Sequence, residues 1–275
     1  MKQLLLSEWI RLWKRKTTWI AFLSIPLILI AAAKYLVSQN NVVSTKLPQY
    51  TVAWNFPVMG LAEMLITVFQ GIIILIVVFS VTEEIRTGQI RMVLLRSYSY
   101  TEILFAKYIV IIGVILLFFT VYFIGSHIVG IIFFPMVDKF SLFYHQELAT
   151  PIVGLMYNVR FYGIACLTAI AIISVMFFIA VVCRTTTAAI GVSIGFIIFT
   201  LGYPTMLSYF HELFGNELFV KLYFTSITMI QFEGITRILG ESGNEAGWNY
   251  SVIAIYISLF TVSTFIAMNK KDYFI

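Results

Sequence analysis

Two adjacent carboxylates, Glu83 and Glu84, stand at the end of a long apolar run, where they could activate water for hydrolysis or hold a basic partner. Intramembrane glutamate proteases carry such a pair in an E-E-x-x-x-R pattern with partner histidines on other spans at similar depth. In this chain Arg86 comes too early, position 88 is Gly, and His127, His145 and His211 are expected on the opposite side of the membrane. The histidines form no H-E-x-x-H motif and no i, i+4 pair, so they offer no metal site. Cys166 and Cys183 are too few and too separated in depth for a disulfide framework or a zinc site. A G-x-x-x-x-G-K-[ST] phosphate loop is absent, which removes the usual backbone cradle for a nucleoside triphosphate. The chain is therefore expected to bind no cofactor or metal and to be no enzyme. A membrane-embedded enzyme such as an intramembrane protease, or a non-transporting anchor or sensor, is the alternative.

Charge is concentrated instead in three kinds of place. The first is residues 82–107, where Glu83, Glu84, Arg86, Arg91 and Arg96 interleave with Ile90, Val93 and Leu94. After the turn allowed by Gly88, that spacing predicts a short helix with one apolar face. Ser99 and Glu102 then fit a capping box, each side chain serving the other's backbone amide, so a fresh helix should begin there. An ordinary basic loop held by anionic lipid would carry the same charges. The second place is residues 1–16, where Leu5, Leu6, Trp9, Leu12 and Trp13 recur at helical spacing with Glu8, Arg11 and Arg15 on another face. That pattern predicts an amphipathic helix in the membrane interface, its indoles at headgroup depth and its cations in water. The third is inside the apolar runs: Glu63 about two turns from the outer end of the second run, with Lys34 and Arg160 at comparable depth in the first and fourth. Charges there are costly, so Glu63 is expected to pair with one of the two cations or each to snorkel to the interface.

The elements that position these residues follow from composition. Of 275 residues, 60% are hydrophobic and 11% charged, with a mean hydropathy of +0.95. Soluble domains are about 45–50% apolar and about 25% charged. An all-α membrane protein is expected, a single domain over 1–275, with spans near 18–37, 58–81, 108–132, 161–182, 188–207 and 248–268. The first run begins near Thr17, is already of span length and precedes no small-residue cleavage pattern, so it should stay as a span. The net charge of +5 sits at the ends of the apolar runs and not on a soluble module, which argues against nucleic acid. Of the 18 Lys and Arg residues, twelve fall on the side of the termini and six on the other. Both termini are thereby expected in the cytoplasm. The segment 208–247 holds a short apolar stretch at 218–232 with Lys221 inside it. It is expected to be re-entrant or interfacial on the outer side, with Gly215, Gly234, Gly240, Gly243 and Gly247 breaking the rest into turns. Gly191 and Gly195 in the fifth run could admit a close helix neighbour.

The amphipathic N-terminus, the six spans and the 82–107 stretch together resemble the permease subunits of type-2 ATP-binding-cassette exporters. The matching residues are Glu84, Gly88, Leu94 and Leu95, the turn at 97–99, Lys107 at the start of the third span, and the ending Lys270-Lys271-Asp272. The resemblance implies that 83–97 is a coupling helix docking into a separate ATPase, which would hold ATP and Mg. Residues 1–16 would be the connecting helix. It also implies two ATPases and two permease subunits, as a homodimer or with a paralogue, in the cytoplasmic membrane. The expected cargo is hydrophobic or amphipathic: an antimicrobial-type peptide, a drug or a lipid.

Overall fold

Lipid offers backbone groups no hydrogen-bond partner, so apolar segments of crossing length must satisfy their own amides, and a helix does this within one segment. The computed structural model describes residues 1–86, 99–183, 185–210, 215–243 and 245–269. After α1 (Lys2–Trp13) come α2 (Lys16–Asn40), α3 (Phe56–Met64), a π-helical turn (Leu65–Phe69) and α4 (Gln70–Arg86). Then follow α5 (Tyr100–Phe133), α6 (Pro151–Val182), α7 (Thr186–Ser208), α8 (Asn216–Tyr223), α9 (Ile227–Met229), a second π turn (Ile230–Gly234), α10 (Ile235–Leu239) and α11 (Ala246–Asn269). Six helices are long and apolar enough to cross a membrane, the second of them running Phe56–Thr82 through α3, the first π turn and α4. Among the described residues extended pairing is limited to one bridge, Phe140 with Ala149.

Two spans start earlier than the apolar runs suggested. The third begins at Tyr100, because Ser99 Oγ accepts the Glu102 amide at 3.2 Å and Glu102 Oε2 accepts the Ser99 amide at 2.8 Å, the expected capping box. Lys107, assigned to a connection by its charge, is consequently two turns inside a helix. The fourth begins at Pro151, ten residues ahead of the expected 161, with proline in the first turn where its missing N–H costs nothing. Arg160 therefore lies nine residues into α6 and not at its end.

The bundle is organised around α6. In its most apolar window 78% of residues are buried, against 17% for α7 and for α11. α6 packs against α4 and α11 above all, and also against α3, α5 and α7. Phe69 contacts Phe118, Phe119 and Tyr122 edge-on at 4.9–5.1 Å, joining the first π turn to α5. On the outer surface of the helices Leu27, Phe199 and Ile255 stay more than half exposed, as a lipid-facing surface allows.

The 208–247 segment differs from the expected series of glycine turns. Gly215 and Gly243 do take positive φ, and Gly240 ends α10, but Gly234 closes a π turn and Gly247 lies within α11. Residues 216–223 and 227–239 are helical and pack on α6 and α7, with Ile227, Thr228 and Ile230 fully buried. Its polar groups are met inside the protein: Thr200 Oγ1 and Thr228 Oγ1 are 2.8 Å apart, and Ser226 Oγ donates to the Thr200 carbonyl at 2.6 Å. Gly191 and Gly195 face open space, with nothing within 4 Å of an added Cβ, so among the described residues no helix uses the close approach they permit.

Gly130 does serve a close approach, since a Cβ there would lie 2.8 Å from the Ala53 carbonyl oxygen. Gly130→Ala is expected to lower stability by about 1–3 kcal/mol through overpacking. Gly163→Ala, where a Cβ meets nothing within 4 Å, should be neutral or stabilising. Thermal unfolding of the two variants in detergent checks the contrast.

Candidate functional site

At the end of the bundle that carries α1, charged side chains converge on the start of α5. Glu8 sits one heptad into α1 and is 2% exposed, and its Oε2 accepts from Lys107 Nζ at 2.7 Å. Lys107 is also 2% exposed, and Arg11 Nη1 reaches Glu8 Oε1 at 2.8 Å from a more open position. Placing Glu8 on the water-facing side of α1, as its spacing suggested, is therefore incorrect. The stripe that packs on α5 is Leu4, Glu8 and Leu12, and the carboxylate is carried inward because Lys107 lies beneath it. Trp13 likewise turns into an aromatic group with Trp9, Trp19 and Phe22, at ring separations of 5.1–6.0 Å.

The same end is cross-tied to α4. Arg15 Nη1 donates to the Phe79 carbonyl at 3.0 Å, and the Thr82 and Thr186 hydroxyls are 2.9 Å apart. Glu83, Glu84 and Arg86 form the last turn of α4. Gly88, Arg91, Val93, Leu94 and Arg96, expected in a short helix, lie outside the described residues. That segment is thus flanked on one side by a helix held to Arg15 and Thr186, and on the other by a capped helix held to Glu8.

The opposite end contains a cavity of about 570 Å³, lined by Val58, Met59, Glu63, Ile66 and Thr67 of the second span together with Phe143, Tyr144, Leu201, Phe232 and Glu233. Both π turns contribute to its wall, through Ile66 and Thr67 on one side and Phe232 and Glu233 on the other. A π turn inserts a residue and re-aims the side chains around it, and such turns recur at functional sites. Directly behind the turns Gln70 Nε2 donates to Gln231 Oε1 at 2.6 Å, and Gln231 Nε2 donates to Thr168 Oγ1 at 3.1 Å, all three side chains buried.

Glu63 is exposed toward this space, and among the described residues it pairs with neither Lys34 nor Arg160, so the first of the two expected alternatives does not hold. The helical rotation explains the difference: Lys34 and Arg160 lie on exposed faces of α2 and α6, while Glu63 is turned to the cavity. Glu233 is better supplied. It accepts from Tyr144 Oη at 2.9 Å and from Arg237 at 2.8 Å, and Arg237 also reaches Glu245 at 3.3 Å. Tyr144 holds a φ of 58°, a left-handed conformation unusual for an aromatic residue, and its carbonyl accepts the Glu241 amide at 3.2 Å. Burial, and then the bond to Glu233, keep the Tyr144 hydroxyl above its ordinary pKa, so it remains a donor at neutral pH.

Among the described residues no three His, Cys, Asp or Glu side chains gather as metal ligands would. His127 bonds to the Phe123 carbonyl at 2.9 Å, and His145 to that of Phe143, so both histidines lie at the cavity's end of the bundle, away from the last turn of α4. Sequence reading found Glu63 but missed its surroundings, because Tyr144 and Glu233 lie 81 and 170 residues downstream. A signal existed for Glu8 and Lys107, two opposite charges at positions otherwise suited to burial, but nothing local shows that they meet.

A family model described as a protein of unknown function, DUF2705, matches residues 17–274. No curated protein matches the chain.

Removing one member of the buried pair should cost more than removing both. Lys107→Met is expected to lower stability by about 3 kcal/mol, and adding Glu8→Leu to recover most of that loss. Denaturation of the single and double variants in detergent measures the difference.

Proposed function

The chain belongs to the DUF2705 family, and we propose, from its sequence and structure, that it is the membrane subunit of an ATP-driven exporter whose ATPase is a separate polypeptide. The observation that carries this reading is the tied frame around residues 87–98. α1 is joined to α5 through Glu8 and Lys107, and α4 is joined to Arg15 and Thr186, so force applied to the segment between α4 and α5 would reach several spans at once. ATPase closure has to pass through such a stiff element to move a membrane bundle. The resemblance to type-2 exporter permeases adds the assignment of 83–97 as coupling helix and of α1 as an interfacial connecting helix.

In this reading both termini are cytoplasmic, the membrane is the cell membrane, and ATP and Mg are held by two copies of the ATPase. A second permease subunit completes the transporter, and the open Gly191–Gly195 face of α7 is available for it. The 208–247 segment lies toward the outer leaflet. The cargo is a hydrophobic or amphipathic molecule, of which a membrane-active peptide is the favoured example.

Co-expression with the ATPase encoded beside this chain should yield a complex on affinity purification. Arg91→Glu and Leu94→Ala are each expected to weaken that complex by about tenfold while leaving the membrane subunit folded. A complex indifferent to both changes, with ATP hydrolysis insensitive to the membrane subunit, would remove the exporter reading. A single cysteine placed at 92 should react with an impermeant thiol reagent only from the cytoplasmic side, and one at 145 only from outside.

A further inference from the structure

The cavity beside Glu63 has the size of a small-molecule site, about 570 Å³ against the roughly 300–1,000 Å³ usual for ligand pockets. Its wall is mostly apolar, from Val58, Met59, Ile66, Leu201, Phe143 and Phe232. Its charged lining residues are two carboxylates, Glu63 and Glu233, and no Lys or Arg lines it. The nearby guanidinium of Arg237 is already shared between Glu233 and Glu245. Of these two carboxylates, Glu63 has no cation within ion-pair distance among the described residues.

We propose that this cavity binds an organic cation with an apolar body, with the Glu63 carboxylate as its counter-ion and the rings of Phe143, Tyr144 and Phe232 against its apolar part. An anion would face two carboxylates. A neutral ligand would strip water from Glu63 and give nothing back, which is costly for a charge in an apolar setting. A bare divalent ion would find too few ligands, since no third carboxylate, His or Cys joins Glu63 and Glu233 among the described residues. A cation carrying aromatic or aliphatic bulk satisfies the carboxylate, the apolar wall and the ring faces together. The two π turns, held back to back by Gln70 and Gln231, keep the cavity open between the second span and the 208–247 segment. That the bound cation is the exported cargo rests on the exporter reading; the binding itself does not.

Tetraphenylphosphonium and tetraphenylborate have nearly the same size and shape and opposite charge, which makes them suitable probes. The purified chain, in phosphatidylcholine nanodiscs without any ATPase, should bind radiolabelled tetraphenylphosphonium saturably above the level of empty discs. Tetraphenylborate should not compete. Glu63→Gln, which keeps the side-chain shape and breaks no ion pair, should weaken binding by about tenfold, and Glu63→Asp should retain most of it. Equal binding by Glu63→Gln, or competition by the borate, would overturn the proposal. So would the absence of saturable binding, which would leave the cavity to be covered by a second copy of the chain. A chain that binds the cation yet neither recruits nor stimulates an ATPase keeps this site and loses the exporter reading; the reverse pattern loses the site alone.

Discussion

A hydrocarbon solvent supplies no hydrogen bonds and little screening, so each polar group that a membrane bundle buries has to be met by another part of the same bundle. This constraint accounts for most of the unusual features of the chain. Glu8 and Lys107 are fully buried, lie 99 residues apart in sequence, and meet as an ion pair at 2.7 Å. Gln70, Gln231 and Thr168 are linked in a second chain of hydrogen bonds, and Thr200, Ser226 and Thr228 in a third. Each set joins elements distant along the chain, so polar pairing fixes which helices are neighbours while apolar contact supplies the bulk of the packing.

The two ends of the bundle use that constraint in different ways. Around α1 the polar groups are paired tightly, through carboxylate, ammonium and guanidinium at 2.7–2.8 Å, and the result is a stiff corner. Around the cavity the pairing is incomplete: Glu233 accepts from Tyr144 and Arg237, whereas no donor among the described residues reaches Glu63.

Several local features were legible in residue spacing. The capping box at Ser99 and Glu102 formed as its pattern required, because both partners lie within one helical turn and need nothing from the rest of the chain. Helix α1 formed at the expected place for the same reason, but its inward face was misjudged. Spacing ranks Glu8 with Arg11 as polar, and only the arrival of Lys107 makes an acidic residue the better choice for the buried stripe. The expected pairing of Glu63 with Lys34 or Arg160 failed on a related point. Similar depth along two helices does not bring side chains together unless the helices also turn the right faces toward each other.

From the linear order of residues alone came the all-helical class, the six crossing lengths, the capped start of α5 and the absence of a nucleotide loop. Each of these depends on residues within about twenty positions of one another, the reach of a single span. The tertiary structure decided the burial of Glu8 against Lys107, the helical packing of 227–239 on α6 and α7, and the cavity that Glu63 lines with Tyr144 and Glu233. These depend on how the helices rotate and which ones become neighbours. In a chain whose spans are apolar on every side, periodicity carries almost no record of that choice, so it is made by the few buried polar groups that can find partners only in one arrangement.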